Sequence, residues 1–318
     1  MTTHQAAELN LYLVILAWNQ LTETLQCLES IQSLNHPPEH ILLVDNGSTD
    51  ETVSTVLQGY PGVTIIRSEE NLGVSGGYNL GMDYALKQGA DYVLIMNNDV
   101  VMAPDFLDQL LEVARLRPDI GIVQPKIYHY YGDQTRLWIV GARWRPFPPA
   151  IKMVGAGQKD GPPFDHVQEL EYAPSCALLI STEAIKKAGL FDEAYFFYFD
   201  DWDYCIRVRQ AGFKIYFAPG AKLWHKVSVS TAKSDRASRW WYIYGRSTVR
   251  FHATYQSLWL VCLVNLWFII REVLKGKFKR IVPYLFGVIG GHAARLGWVP
   301  VQIANPTITI HNGTRANL

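Results

Sequence analysis

The chain has 318 residues and no net charge, and its 49% hydrophobic and 18% charged residues exclude a wholly disordered protein. The charges are unevenly distributed: residues 1–235 hold 18 Lys/Arg against 28 Asp/Glu, whereas residues 236–318 hold eleven Lys/Arg and one acid. This change predicts two parts divided at residue 235, of which the basic one favours an anionic partner such as nucleic acid or a membrane surface.

The cysteines and the N-terminus indicate the compartment. The four cysteines are far apart, which excludes a zinc site built from cysteine pairs, and the first ten residues lack the pattern of a secretion signal. Cys27 and Cys205 fall within helical patterns and are expected to be buried thiols. We therefore expect a protein of the reducing cytoplasm.

The first hundred residues alternate between apolar runs and helical patterns. The apolar runs, which predict strands, are residues 11–18, 41–45, 63–66 and 92–96. The segments between them, which predict helices, are residues 21–34, 50–58 and 76–88. Alternation of this kind predicts an α/β fold with a mostly parallel central sheet flanked by helices.

Polar residues stand where three of these predicted strands end. Asn19 follows the first strand, Asp45 ends the second, and Asn97, Asn98 and Asp99 follow the fourth. Because the carboxyl ends of parallel strands meet at one edge of a sheet, these side chains are expected to converge on a site there.

The middle of the chain is less regular. Residues 105–117 predict a further helix, and residues 127–170, with their Gly and Pro clusters, predict a long irregular loop of the kind that serves function. The later predicted elements are a strand at 176–181, helices at 182–188 and 201–211, and extended segments at 213–218 and 221–225.

The basic C-terminal part contains two apolar runs, residues 251–270 and 281–291, with a cluster of lysines between them. Polar residues inside the first run argue against a membrane-spanning helix. Basic residues beside Trp-rich apolar helices favour a helix pair that lies on the membrane surface. The alternative is a helical subdomain packed on the core.

Five segments occur in an order that resembles one enzyme family. They are LYLVILAWNQ (11–20), ILLVDNGSTDET (41–52), NLGVSGGYNLGMDYAL (71–86), VLIMNNDV (93–100) and the segment at 189–226 that contains FFYFDDWDYC. Together they resemble the inverting, sugar-nucleotide-dependent glycosyltransferases of family 2, which have the GT-A fold. The resemblance covers roughly residues 10–230, and the general layout is similar to bacterial rhamnosyltransferase-like enzymes.

The resemblance implies a site for a divalent metal, Mg or Mn. Where the family has Asp-x-Asp, this chain has Asn97, Asn98 and Asp99, so Asp99 is the predicted ligand and Asn97 replaces the first acid. His225 matches a histidine that completes the site in relatives. Considered alone, Asn-Asn-Asp after a strand is also ordinary turn chemistry, and a lone histidine is more often a packed residue.

The resemblance also implies which residues contact the nucleotide-sugar donor. Asp45 matches the acid that recognises the base, and Asn19 lies under the nucleoside. The predicted donor contacts are Asn19, Asp45, Asn71, Gly73, Asn97 and Asn98. The glycine spacing of residues 71–81 fits neither a P-loop nor a dinucleotide fingerprint.

Three acids open the helix that follows an aromatic run. The family pattern here is Glu-Asp-x-Asp, whose second acid is the general base, so the resemblance assigns this role to Asp201. Asp200 stands in the Glu position and could instead be an N-cap, while Asp203 lies four residues before Arg207 and could form a helix salt bridge. Acids crowded in an aromatic setting should raise at least one pKa, which suits a base.

The sequence thus predicts an enzyme that moves a sugar from a nucleoside diphosphate donor to an acceptor hydroxyl with inversion. The expected acceptor is a glycan or a lipid-linked glycan in bacterial cell-surface polysaccharide synthesis. The expected location is the inner face of the cell membrane, and no nucleic-acid partner is expected, because the basic part carries no recognisable nucleic-acid module.

Two alternatives stay open at this point. A nucleotidyltransferase that makes sugar nucleotides would carry a glycine-rich loop directly after the first strand, where this chain has Asn19 and Gln20. A non-catalytic membrane scaffold with a decayed site is favoured only by the Asn97 replacement, and the retained acids and histidine count against it.

Overall fold

A computed structural model of the chain describes residues 9–145, 150–226, 237–297 and 306–313. The predicted division at residue 235 and the Pro cluster at 146–149 lie outside the described residues. Within these ranges the chain forms one large mixed sheet with helices packed against it, and a separate small hairpin.

The strands run from three to twelve residues. They are β1 (Leu11–Ala17), β2 (His40–Asn46), β3 (Val63–Ser68), β4 (Tyr92–Asn97), β5 (Val100–Met102), β6 (Ile120–His129), β7 (Leu137–Ile139), β8 (Gly141–Arg145), β9 (Ala150–Val154), β10 (Gln168–Leu170), β11 (Ala177–Ser181), β12 (Lys214–His225) and β13 (Ile308–His311). The helices are α1 (Leu21–Gln32), α2 (Thr52–Gly59), α3 (Gly73–Lys87), α4 (Phe106–Ala114), α5 (Thr182–Ala188), α6 (Asp200–Gln210), α7 (Ala237–Tyr255), α8 (Leu258–Leu274) and α9 (Ile281–Arg295).

The centre of the sheet is parallel, in the order β4, β1, β2, β3. Every residue of β1 is buried, as expected for a strand covered on both faces. Beyond β4 the sheet continues through β11, which is antiparallel to β4 and β6, and then to β12, which is parallel to β6. The predicted α/β fold is confirmed, and antiparallel pairs flank the four parallel strands on both sides, through β11 and β13.

The prediction of an irregular loop over residues 127–170 is wrong. This stretch completes β6 and contains the short strands β7 to β10, of which β8 and β9 form a separate antiparallel hairpin. Strands of three to five residues give too few alternations to be recognised from sequence. The two extended segments at 213–218 and 221–225 are one strand, β12, whose register shifts between Ala218 and Lys222.

The C-terminal helices pack on the sheet domain and on each other. Backbone contact between α7 and α9 occurs at glycines: a Cβ at Gly245 would overlap the carbonyl oxygen of Tyr284, and one at Gly287 that of Tyr242. After α9 the chain returns to the main sheet, where β13 pairs antiparallel with β3. No helix among the described residues combines the length and apolarity needed to cross a membrane.

Cys27 and Cys205 are buried free thiols, as predicted.

The close approach of α7 and α9 gives a stability test. A methyl group at Gly287 would lie 2.8 Å from the carbonyl carbon of Tyr242, so Gly287→Ala must push the helices apart. We expect a loss of about 1–3 kcal/mol in the free energy of unfolding, measured by chemical denaturation. Gly59→Ala is the control, because nothing lies within 4 Å of a Cβ there. An unchanged denaturation midpoint for Gly287→Ala would mean that α7 and α9 can move apart without loss of folding stability.

Candidate active site

A cavity of about 860 Å³ opens at the carboxyl ends of the central strands, a size typical of small-molecule sites. Seven of the residues predicted from the sequence line it: Asn71, Gly73, Asn97, Asn98, Asp99, Asp201 and His225. Asn19 and Asp45 lie beside the cavity rather than in its lining. The same cavity extends to residues of α7, α8 and the β8–β9 hairpin.

The pairing of β5 with β12 brings Asp99 to His225. His225 is opposite Val100 in the antiparallel register, and the amide of Lys226 donates to the carbonyl oxygen of Asp99 at 2.9 Å. As a result, Asp99 Oδ1 lies 3.1 Å from His225 Nε2, although the two residues are 126 positions apart. Both side chains are buried.

The electrostatics of this pair keep Asp99 ionised. Burial by itself would raise the pKa of Asp99, but the charge and the hydrogen bond of His225 outweigh it, so this pKa lies below its usual value. His225 Nδ1 is buried and has no hydrogen-bond partner within the described structure. Nowhere in the described ranges do three or more His, Cys, Asp or Glu side chains gather as a metal site, so Asp99 and His225 form a two-ligand set at most.

The two asparagines before Asp99 are fixed by other side chains. Tyr78 Oη donates to Asn97 Oδ1 at 2.7 Å, and Asn98 Nδ2 donates to Thr24 Oγ1 at 2.8 Å. Since the oxygen of Asn97 is already engaged, its amide NH₂ is the group left for a ligand.

The start of α3 forms one side of the cavity and is held tightly. The Asn46 side chain accepts from Leu72 N at 2.9 Å and donates to the carbonyl oxygen of Gly73 at 2.8 Å. Gly73 has a φ of 75°, and a Cβ there would overlap the carbonyl oxygen of Phe196. Only glycine therefore fits at this position, where α3 touches the segment that leads into α6.

Asp45 and Asn19 connect the loops after β1 and β2. Thr49 N donates to Asn19 Oδ1 at 2.9 Å, and Arg67 Nε lies 3.4 Å from Asp45 Oδ2. Burial raises the pKa of Asp45, and the hydrogen bonds of Ser48 and the charge of Arg67 only partly offset it. Asp45 Oδ2 has no hydrogen-bond partner among the described residues.

The acidic segment begins with an unusual backbone. Tyr198 and Phe199 have φ values of 68° and 64°. Residues other than glycine rarely adopt such values, and a backbone of this kind often marks a functional site. Helix α6 begins directly afterwards, with Asp200 and Asp201 in its first turn, where the helix dipole favours negative charge. Because the N-cap position is Phe199, the alternative of Asp200 as an N-cap is wrong.

Asp201 is oriented by two donors. Tyr172 Oη donates to its Oδ2 at 2.5 Å and the amide of Trp202 to its Oδ1 at 2.9 Å. The ring of Tyr172 is stacked on Trp202 with centroids 4.3 Å apart, which holds the phenol in place. Asp200 has a weaker partner, Ser175 Oγ, at 3.4 Å.

The adjacent carboxyl groups differ in proton affinity. Burial, and then the charge of Asp201, raise the pKa of Asp200 well above its usual value. Burial also raises the pKa of Asp201, but the hydrogen bonds from Tyr172 and Trp202 counteract the shift. Of the two carboxyl groups, Asp201 is therefore the one whose charged form is more strongly stabilised by hydrogen bonds.

Asp203 has a different environment and does not line the cavity. Arg207 Nε lies 2.8 Å from its Oδ2, and Tyr255 Oη donates to its Oδ1 at 2.7 Å. The salt bridge expected from the sequence is confirmed, and Asp203 ties α6 to α7.

Several lining residues were not found by sequence reasoning. They include Asn46, Trp138, Trp144, Tyr172, Ser175, His252 and Arg271. Tyr172 precedes β11 in a segment without periodicity, and Trp144 and Arg271 reach the cavity only through tertiary packing. Apart from Asn46, which follows the predicted acid Asp45, these positions carry no sequence signal.

Comparison with known proteins shows which family the chain resembles. The family described as Glycosyl transferase family 2 matches residues 12–165. An N-acetylglucosaminyl-diphospho-decaprenol L-rhamnosyltransferase of Mycobacterium tuberculosis is 28% identical over 263 residues, which cover 70% of this chain and 83% of the relative. A dTDP-rhamnosyl transferase of Shigella flexneri is 25% identical, and the match covers 70% of this chain and 71% of the relative. A hexosyltransferase of low-salt glycan biosynthesis in Haloferax volcanii is 22% identical, and the match covers 80% of this chain and 83% of the relative.

Two solved structures share the fold. GalNAc-T7 with UDP, GalNAc and Mn²⁺ superposes with a TM-score of 0.60 at 14% identity, over 75% of this chain and 48% of that chain. A mannosyltransferase of Pyrobaculum calidifontis with GDP-Man and Mn²⁺ superposes with a TM-score of 0.51 at 13% identity, over 90% of this chain and 87% of that chain. The chain therefore has the GT-A fold, matches family 2 glycosyltransferases over residues 12–165 and is similar to rhamnosyltransferases.

Proposed function

We propose that the chain transfers a sugar, with inversion, from a nucleoside diphosphate sugar to a hydroxyl group of a lipid-linked glycan, and that Asp201 is the general base. The observation that carries the proposal is that one cavity is lined by Asp99 and His225 at one place and by Asp201 at another. The name of the Mycobacterium relative specifies an acceptor whose sugar is joined to a lipid through a diphosphate.

Asp99 and His225 fit a divalent metal. A carboxylate kept ionised and an imidazole, buried side by side, are the protein ligands that Mn²⁺ accepts, and the neutral form of His225 is the one that can bind. A bound ion would neutralise the charge that develops on the leaving diphosphate. The amide groups of Asn97 and Asn98 add polar contacts for the donor beside this pair.

Asp201 fits the role of base because its carboxylate is oriented by the phenol of Tyr172 and lines the cavity. It would take the proton of the acceptor hydroxyl while that oxygen attacks the anomeric carbon and the nucleoside diphosphate leaves. A single displacement from the opposite side inverts the anomeric centre.

The far wall of the cavity suits an apolar acceptor. It is formed by Trp144, Ile151 and Met153 of the hairpin, and by Trp240, Val264 and Trp267 of the C-terminal helices. Sugars and nucleotides do not need a wall of this composition, whereas the lipid of a lipid-linked glycan does.

The outer face of the C-terminal helices suits a membrane surface. Large apolar side chains are exposed in a stripe on both helices: Trp259, Leu263, Leu266, Ile270 and Leu274 on α8, and Val282, Phe286 and Ile289 on α9. The turn between the helices exposes Lys275, Lys277 and Lys279. Monomeric soluble proteins rarely leave such a patch open, and the adjoining lysines would meet anionic headgroups. We therefore place the enzyme at the inner face of the cell membrane.

The base assignment predicts a specific loss. Asp201→Asn keeps the shape of the side chain but cannot accept a proton, so kcat should fall by about two to four orders of magnitude while donor affinity stays nearly unchanged. Because the pKa of Asp201 is raised, kcat of the wild type should already decline on acidification at a pH above the ordinary carboxyl value of 3.8. Steady-state kinetics across pH and a donor-binding titration measure these effects.

The control is Asp203→Asn, which removes the ion pair with Arg207 and lowers stability. The kcat of Asp203→Asn, calculated for the folded protein, should be within a few-fold of the wild-type kcat. If Asp203→Asn is inactive when folded and Asp201→Asn is active, the base is two residues further along.

The metal assignment predicts ion-dependent binding of the donor. Mn²⁺ should tighten the binding of UDP, dTDP or GDP, whichever nucleotide fits, and a chelator should remove this gain. Asp99→Ala should bind the nucleotide weakly with or without Mn²⁺, because half of the ligand pair is gone. Asp83→Ala, which removes an exposed acid on α3, should behave like the wild type. Equal affinities in all conditions, measured by calorimetry, would contradict the metal site.

The membrane assignment predicts binding to anionic vesicles. Each lysine near an anionic surface contributes on the order of 1 kcal/mol, so reversing Lys275, Lys277 and Lys279 to Glu should abolish co-flotation with such vesicles at low salt. Reversing three exposed lysines elsewhere, Lys87, Lys186 and Lys187, is the matched control. Failure of the wild type to float would instead favour helices that pack against another protein surface.

A further inference from the structure

The active-site cavity contains one cationic side chain of the Lys/Arg type among its described lining residues, and it belongs to the C-terminal helices. That residue is Arg271, near the end of α8. On the same helix face, one and two turns earlier, Trp267 and Val264 also line the cavity. The neighbouring face of α8 carries the exposed apolar stripe. A single helix thus presents an apolar wall followed by a positive charge.

A chain of ring contacts connects Arg271 to the segment that precedes α6. Its guanidinium lies over the ring of Phe268, 5.1 Å from the centroid, and Phe268 contacts Tyr244 at 5.7 Å. Tyr244 is stacked with Phe199 at 5.8 Å, and Phe199 directly precedes the acids of α6. Arg271 is therefore joined by packing to the carboxylate end of the cavity.

The positive charge of Arg271 is fixed in place but not cancelled. Its Nε lies 2.9 Å from the buried carboxylate of Glu272, which also binds Arg280 at 3.2 Å. Two guanidinium groups thus share one carboxylate, which leaves one positive charge. Arg280 lies over the ring of Trp241 and does not line the cavity, so the unbalanced charge on the cavity side is that of Arg271.

We infer that Arg271 binds the diphosphate of the acceptor, with the first part of its lipid chain against Trp267 and Val264. The inference rests on the proposed lipid-linked acceptor. Guanidinium recognises phosphate oxygens with paired hydrogen bonds, and here it lines the same cavity as the acids of α6, on the helix that carries the apolar stripe. A diphosphate between a sugar and a lipid has to lie at such a junction of polar and apolar surface.

The test is binding of farnesyl diphosphate to the full chain, measured by calorimetry without any sugar donor. Arg271→Gln should weaken it by about 10- to 100-fold, the usual effect of losing a hydrogen bond to a charged group. Arg280→Gln is the matched control, because it removes the other partner of Glu272 and leaves the cavity lining intact. It should bind within a few-fold of the wild type.

Further ligands separate the sources of affinity. Farnesol should bind wild type and Arg271→Gln alike, and inorganic diphosphate should bind the wild type more weakly than farnesyl diphosphate does. The affinity for UDP should be the same in wild type and Arg271→Gln.

Four outcomes would overturn the inference. The first two are that Arg271→Gln binds farnesyl diphosphate as tightly as the wild type, or that Arg280→Gln loses as much affinity for it as Arg271→Gln does. The other two are that Arg271→Gln also loses affinity for UDP, or that the wild type binds inorganic diphosphate as tightly as farnesyl diphosphate. If binding depends on Arg271 but no lipid-linked glycan is glycosylated, the inference stands and the proposed function fails. If a lipid-linked glycan is glycosylated equally well by wild type and Arg271→Gln, the proposed function stands and the inference fails.

Discussion

The site depends on carboxyl groups that are buried in one cavity but held in opposite electrostatic environments. Asp99 is buried against His225, whose charge and hydrogen bond lower its pKa. Asp200 is buried and Asp201 is half-buried beside it, and burial raises both pKa values. A cavity with one environment throughout could not supply both a permanent anion and a group of higher proton affinity. The division of roles in the proposed mechanism follows from this difference.

The fold maintains the difference by fixing the backbone on each side. Asp99 and His225 are brought together by the register of β5 and β12, so their distance is set by a sheet rather than by flexible loops. The acids of α6 are set by the segment 196–199. On one side Val74 N donates to the carbonyl oxygen of Phe196 at 2.8 Å, and on the other Ser247 Oγ donates to that of Phe197 at 2.9 Å. The second contact comes from α7, so the C-terminal helices help to build the catalytic end of the cavity.

The sequence was informative where function or structure leaves a local pattern. Buried parallel strands are continuous apolar runs, so β1 to β4 and the polar residues at their ends could be predicted. Asp99, Asp201 and His225 were predicted from short motifs that resemble those of the family, and all three line the cavity. The strands between 127 and 170 could not be found, because they are short and the partner of β10 is distant in sequence. Tyr172 and Arg271 could not be found because their importance lies in contacts across the fold.

The two faces of α8 join catalysis to location. One face lines the active-site cavity through Val264, Trp267 and Arg271, and the other exposes Trp259 and Ile270. A helix that contacts both the acceptor and the membrane would fix the depth at which the acceptor hydroxyl is presented to Asp201. Such an arrangement lowers the entropic cost of bringing a membrane-bound substrate to the base, since the lipid is confined before the sugar enters the cavity. In the proposed mechanism, the basic, Trp-rich region would belong to the substrate site, which would give the charge asymmetry of the chain a functional reason.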